Sequence, residues 1–128
     1  MPRRVAAHLK KKLYELADRH ICVGDVRGIG HFWALELVKN RKTREAFDVK
    51  ADKFSTKALM TGRVAGDAMQ RGVYISPWYD TLVIAPPLII TEAQVDEALA
   101  VLDKSLEIAD RESIDTGTPV SHSTEYRK

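Results

Sequence analysis

The seven residues Phe32-Trp33-Ala34-Leu35-Glu36-Leu37-Val38 constrain the fold more than any other part of this chain. Successive side chains of a strand point to opposite faces, so Trp33, Leu35 and Leu37 share one side while Phe32, Ala34 and Glu36 take the other. Both sides are largely apolar. Such a strand belongs inside a sheet, with a core on one side and at least partial cover on the other. A chain of 128 residues can surround it with one modest domain but not with two.

The flanking segments suit that role. Val5, Leu9, Leu13 and Leu16 recur at i, i+4, i+8 and i+11, the stripe of an amphipathic helix. His20-Ile21-Cys22 breaks the period. Val23 to Gly30, rich in glycine and β-branched residues, predicts a strand entering a bulge or turn. Asn40 to Lys53 is polar and aperiodic, an exposed connection with Phe47 and Phe54 as anchors. A second helix is expected from about Ser55, with Ala58, Leu59, Ala65, Ala68 and Met69 on one face. Gly62 and Gly66 inside it cost about 1 kcal/mol each relative to alanine and would permit close packing against a neighbour. Gly72 after Arg71 reads as a left-handed helix cap.

Val73-Tyr74-Ile75 and Thr81 to Ala85 read as two short strands, with Pro77-Trp78-Tyr79-Asp80 as the loop between them. Pro86-Pro87 stops the second, since neither residue can donate to a ladder. Thr91-Glu92-Ala93-Gln94 has the form of a capping box, and the helix it opens carries Val95, Ala98, Leu99, Leu102 and Leu106 on one stripe. From about Arg111 the chain is polar and rich in Ser, Thr, Gly and Pro, the composition of a disordered tail. The fold class expected is α+β: a small antiparallel or mixed sheet of three to four strands, with two to three helices mainly on one face. The other face retains apolar residues, which for an isolated domain signals a missing partner surface.

Charge and cysteine usage exclude several functions. Lys plus Arg is 20 against 18 for Asp plus Glu, a net charge of +2, which makes no case for nucleic acid. Lys10, Lys11 and Lys12, and Arg41, Lys42 and Arg44, are diluted by nearby acids and read as solvated surface. Cys22 is the single cysteine, so no disulfide framework or cysteine-based zinc site exists. His8, His20, His31 and His122 lack metal-ligand spacing. No apolar run approaches the ~20 residues that span a bilayer. Met1-Pro2-Arg3-Arg4 leads straight into the first helical pattern and does not resemble a signal peptide; a cytoplasmic location is expected.

Independent catalytic constellations are missing. There is no nucleophile elbow, phosphate loop or His-Glu-x-x-His. Gly28-Ile29-Gly30 begins like a dinucleotide fingerprint, but the third glycine is absent and a strand follows where a helix N-terminus is needed. Asp25 beside Arg27 reads as a strand salt bridge. Asp96, Glu97, Asp103 and Glu107 read as the solvated side of the last helix, His31 as a partly buried, hydrogen-bonded histidine, and Cys22 as a small buried hydrophobe.

Three segments in order carry a resemblance. Val23 to Gly30 followed by Ala34 to Val38 resembles the strand pair of the small domain of class III aminotransferases. Leu82-Val83-Ile84-Ala85-Pro86-Pro87-Leu88-Ile89-Ile90-Thr91 with its acidic amphipathic helix is similar to that family's last strand and terminal helix, and Lys39 to Glu45 fits between them. The agreement runs from about Ala6 to about Asp110 and is nearest to the ω-amino-acid and amine:pyruvate subgroup. It implies residues 1–110 as a C-terminal small domain, 111–128 as tail, and a fold-type I enzyme that works as a homodimer with pyridoxal 5′-phosphate. It further implies that the Schiff-base lysine, the acid on the pyridine nitrogen and the phosphate-binding groups lie in a large domain this chain does not contain. No catalytic or cofactor-binding residue is therefore expected here, and the chain alone is expected to bind no cofactor and to be inactive. Many family members carry an arginine for the substrate carboxylate a few residues before the Ala-Pro-Pro strand; that position falls near Ser76 here, so bidentate clamping is not expected. Ser76, Trp78 and Tyr79 become the candidate pocket wall; Trp78 and Tyr79 read either as an aromatic wall suited to an amine or a less polar substrate or, equally, as exposed turn aromatics with a packing role. The alternative is a free-standing α+β binding or interaction module that keeps the fold without the chemistry.

Overall fold

The structure, a computed structural model, describes residues 2–49 and 58–123. The element order is α1 (Arg3–Arg19), β1 (Val23–Ile29), β2 (Phe32–Leu37), α2 (Met60–Gln70), β3 (Ser76–Trp78), β4 (Thr81–Ile84), α3 (Glu92–Ser105) and the single turn α4 (Glu107–Asp110). The four strands form one sheet in the order β1-β2-β4-β3, antiparallel at every pairing. The expected α+β class holds, and the sheet proves purely antiparallel with four strands. No helix among the described residues is long and apolar enough to cross a membrane.

Direct cross-strand partners point to the same side of a sheet, so the register fixes two faces. Val26 pairs with Leu35, Leu35 with Leu82, and Trp33 with Ile84. On this side Val26, Trp33, Leu35, Leu37 and Leu82 join one core with Val5, Leu9, Leu13 and Leu16 of α1, Val64 and Ala68 of α2, and Val95, Leu99 and Leu102 of α3. The α1 and α3 stripes match the expected ones. Burial of a leucine such as Leu13, which is 0% exposed, contributes about 1.5–3 kcal/mol, and this shared stripe is what holds three helices on one side.

Local signals explain most boundaries. Gly30, with φ 59°, opens the two-residue β1–β2 turn, where a positive φ is required at the first position. The ladder shifts register between Val23 and Asp25, the expected bulge. A Cβ at Gly28 would lie 2.4 Å from the Phe32 carbonyl oxygen and 2.6 Å from the Trp33 ring, so only glycine lets Trp33 lie across β1. Gly72 takes φ 96°; its amide donates to the Met69 carbonyl at 3.0 Å and that of Val73 to Ala68 at 2.9 Å, a Schellman closure of α2. Thr91 and Gln94 form the reciprocal capping box of α3.

Four expectations are corrected. The α2 helix begins at Met60, where the amide is capped by the Asp48 carboxylate at 2.9 Å, a tertiary contact that no local motif announces. The position near Ser55, and Phe54, lie outside the described residues. The buried stripe of α2 is Met60, Thr61, Val64, Ala65 and Ala68, while Met69 is 56% exposed, and a Cβ at Gly62 or Gly66 would meet nothing within 4 Å, so these glycines serve no close packing. The third strand is Ser76–Trp78 and not residues 73–75. Pro77 is tolerated there because β3 is an edge strand.

The fourth correction concerns the tail. Residues 111–123 run back along the domain instead of dispersing. The Ile114 amide donates to the Lys39 carbonyl at 2.8 Å, Ser121 N donates to Gly24 O at 3.0 Å, and Val26 N donates to Ser121 O at 2.8 Å, a parallel bridge on the outer edge of β1. The His122 ring stacks on Tyr14 with centroids 4.2 Å apart.

Candidate functional site

The sheet side away from the helical core holds Asp25, Arg27 and Ile29 of β1, Phe32, Ala34 and Glu36 of β2, Thr81 and Val83 of β4, and Ser76 and Trp78 of β3, as the pairings Ile29 with Phe32, Ala34 with Val83, Val83 with Ser76 and Thr81 with Trp78 require. Its centre is small and buried at Ala34 and Thr81, whereas Ile29 (67%), Phe32 (45%) and Trp78 (64%) are exposed. Ion pairs border it: Arg27 donates to Asp25 at 2.8 Å, and Arg44 donates to Glu36 at 2.6 Å and to the Gly24 carbonyl at 2.8 Å. Both guanidiniums have acidic partners within the domain. Burial pushes the Glu36 carboxyl above its ordinary range, against the opposing pull of Arg44.

Of the three candidate wall residues, two come together on this face. Ser76 and Trp78 sit two residues apart on β3 and so point the same way. Tyr79 departs from them. It occupies the β3–β4 turn with φ 52°, a left-handed conformation that is uncommon outside glycine. The Thr61 hydroxyl donates to its carbonyl at 2.6 Å, and its own hydroxyl donates to the Asp48 carbonyl at 2.9 Å. The phenol thus ties the turn to the connection before α2.

An apolar groove of about 640 Å³ opens on the opposite, helical side, between Val73, Ile75, Ile84, Ile90 and Leu99. Ser76 does not line it. Among the described residues no group of His, Cys, Asp and Glu is placed to hold a metal ion.

Two polar groups are buried, and one of them, Arg41, reads locally as solvated surface. Arg41 is 9% exposed and donates to the carbonyls of Val23 (2.9 Å), Thr118 (3.0 Å), Ala17 (2.8 Å) and His20 (2.7 Å); burial lowers its pKa, opposed by the acidic groups around it. His20 is 5% exposed, with Nε2 2.7 Å from Asp103 and Nδ1 on Asp110. Asp103 is therefore no mere solvated charge. Nothing in the spacing of residues 20, 103 and 110 marks the cluster; the end of α1 at His20 is the one local hint. His31, by contrast, is exposed in the β1–β2 turn, where a half-buried ring was expected. Cys22 is buried as expected, and burial raises its thiol pKa well above the ordinary value.

A model of the aminotransferase class III family matches residues 2–106. The chain belongs to the class III aminotransferases. The putrescine–pyruvate aminotransferase of Pseudomonas aeruginosa is 39% identical over 103 residues, which are 80% of this chain and 20% of that protein. The taurine–pyruvate aminotransferase of Bilophila wadsworthia is 33% identical over 109 residues, 80% of this chain and 22% of that protein. Among solved structures, the PMP-bound aminotransferase from Vibrio fluvialis superposes with a TM-score of 0.74 at 32% identity, over 88% of this chain and 23% of that one. An omega-aminotransferase from Paracoccus denitrificans gives 0.74 at 34%, with the same coverage. The chain spans about a fifth of the length of the curated relatives it matches.

The class implies pyridoxal phosphate in full-length members, and the side chains described here do not fit that group. A lysine that binds a carbonyl carbon needs a desolvated pocket to depress its pKa, yet none of the described lysines is buried. Among the described residues the one buried arginine commits four of its five N–H donors to backbone carbonyls and has at most one to offer a phosphate.

Proposed function

We propose that residues 1–110 are the C-terminal small domain of a pyridoxal-phosphate-dependent aminotransferase, and that the domain forms one wall of a substrate pocket whose cofactor-holding part is a separate large domain. The reaction is transfer of an amino group from an amine or ω-amino acid to a keto acid such as pyruvate, in a dimeric cytoplasmic enzyme. The chain alone is inactive and binds no cofactor. The observation that carries the reading is the outer sheet face, where Ser76 and Trp78 lie two residues apart on β3 and Ile29, Phe32 and Trp78 are exposed. Apolar residues on a sheet face need cover, and a large domain supplies it.

What these residues do for a substrate follows from their chemistry. Ser76 offers a hydroxyl that donates or accepts a single hydrogen bond, where an arginine would grip a carboxylate with two. The two guanidiniums on this face are paired with Asp25 and Glu36. Trp78 presents an aromatic surface that favours the alkyl part of an amine. The wall therefore suits donors without a second carboxylate.

The test is reduction with borohydride in the presence of pyridoxal phosphate, followed by mapping of pyridoxyl-lysine by mass spectrometry. The chain alone should show no stoichiometric label; its assembly with a class III large domain should label a lysine of that domain and gain transaminase activity. Stoichiometric labelling of one lysine in the isolated chain overturns the reading. A second reading, a free-standing α+β interaction module, is favoured by one observation: the strap of residues 111–123 lies beyond the matched segment 2–106 and folds onto the domain itself. Failure to associate with any large domain would favour it.

A further inference from the structure

We propose that His20, held between Asp103 and Asp110, is a proton-operated latch that keeps the C-terminal strap on the free edge of β1. The inference does not depend on the aminotransferase reading. A neutral imidazole has one N–H donor and one acceptor nitrogen, and a carboxylate only accepts. Both ring nitrogens of His20 face carboxylate oxygens, Nδ1 that of Asp110 and Nε2 that of Asp103 at 2.7 Å. The arrangement is satisfied only by the imidazolium, which donates twice. In the neutral ring one nitrogen lone pair would face a carboxylate oxygen, in a site 5% exposed where water cannot readily relieve it.

The other charged groups around the ring leave this balance intact. From α1, Arg19 donates to Asp103 at 3.2 Å, and Asp18 acts on Arg41. From the connection after β2, Arg41 donates to the His20 carbonyl at 2.7 Å. The Cys22 amide donates to the second oxygen of Asp110 at 3.1 Å. Burial by itself would lower the His20 pKa, but the bonds and charges of Asp110 and Asp103 outweigh it and raise the pKa above the ordinary value.

The latch sits at the root of the strap. Asp110 is the last residue of α4, and every residue from 111 to 123 is exposed or half-buried. With so little burial, the strap is held mainly by polar contacts, Ile114 to Lys39, Thr118 to Arg41, Ser121 to Gly24 and Val26, and Ser123 to Asp25, beside the His122 stack on Tyr14 and the packing of Val120 against the core. Segments of this kind open at the low end of the stability range. What lies beneath is the outermost strand of the sheet, whose unpaired backbone groups are a template for another chain. Deprotonation of His20 removes one of the two bonds at the root and frees that edge.

The test uses the full 128-residue chain, labelled with nitrogen-15, from pH 5.5 to 9. Amide exchange of Val26, the donor to Ser121, is converted to a protection factor at each pH, and the His20 ring nitrogens are followed in parallel. At low pH both nitrogens should carry protons and Val26 should be protected. As His20 titrates, Val26 protection should fall about tenfold for each unit by which its pKa is raised, while the central Leu35 amide stays protected. His20→Gln, whose donors both sit on one nitrogen while its Oε1 only accepts, cannot donate towards both carboxylates as the imidazolium does and should open Val26 at every pH. Ser121→Pro should open Val26 at every pH yet leave the ring titration in place, which separates the latch from the strap it holds. Val26 protection that stays flat through the His20 titration, or a ring with a single proton at low pH, overturns the proposal. Should His20→Gln not fold, the pH series on the unaltered chain decides alone.

Discussion

Arg41 stands in a run, Arg41-Lys42-Thr43-Arg44, that reads as solvated charge, yet its guanidinium ends the carbonyls of three different segments. Helix α1 leaves its last carbonyls without intrahelical partners; Arg41 takes those of Ala17 and His20, and adds Val23 and Thr118. Arg41→Met keeps much of the stem packing and removes every donor. The Ala17 and His20 carbonyls keep the backbone amides of His20 and Val23 as partners, and leaving a buried acceptor unsatisfied costs about 1–3 kcal/mol, so a loss of about 1–3 kcal/mol is expected in urea unfolding, with the α1–β1 junction most exposed. At Ser76 the expected effect is on specificity instead. In an assembly with the large domain, Ser76→Arg adds a charge-assisted donor worth about 1.5–3 kcal/mol, which should raise kcat/KM for a dicarboxylate donor about tenfold or more and leave a simple amine donor no better.

The helices differ in how much of their behaviour is local. In α2, Gly62 and Gly66 are exposed and their missing Cβ atoms would meet nothing within 4 Å. Changing each to alanine should therefore stabilise the chain by about 0.5–1 kcal/mol, read as a higher urea midpoint with an unaltered slope. The junction of α1, α3 and α4 is governed by charge. Because the His20 pKa is raised in the folded state, its contribution is fully present below the unfolded value of about 6.5 and is lost as pH rises through the folded pKa. Asp103 and Asp110 run the other way. Burial opposes ionisation, but hydrogen bonds from His20, with Arg19 at Asp103 and Cys22 at Asp110, hold both below the ordinary range. Their contribution is present above about pH 3.9 and is lost as pH falls through their folded values. Stability from this junction should peak between those limits, and the gap between the unaltered chain and His20→Gln should narrow as pH rises above 7.

At the scale of the molecule, the two sheet faces divide the work. One is sealed by three helices; the other exposes Ile29, Phe32 and Trp78 around a small-residue centre. Ile29→Lys, at the rim of that face, should change the stability of the isolated chain by about 0.5 kcal/mol or less, as exposed substitutions do. It should weaken association with a large domain about tenfold or more, measured by calorimetric titration, because a charge would be buried without a partner. Equal binding by the variant would move the docking surface elsewhere on the domain.

The amino-acid sequence by itself determined the elements whose causes lie within a few residues: the α1 and α3 stripes, the Thr91–Gln94 capping box, the Gly72 cap, and the two apolar sides of β2. It carried the family as well, because the segments around β1, β2 and β4 keep their order. Tertiary structure decided the rest. Met60 starts α2 because Asp48 reaches its amide; Tyr79 is held in the β3–β4 turn by Asp48 and Thr61; residues 111–123 stay down because Arg41 and the β1 edge receive them. His20 meets Asp103 and Asp110 across more than 80 positions of chain. Periodicity records which residues shun water and caps record local hydrogen bonds, but the partner of a buried charge is chosen only when distant segments pack.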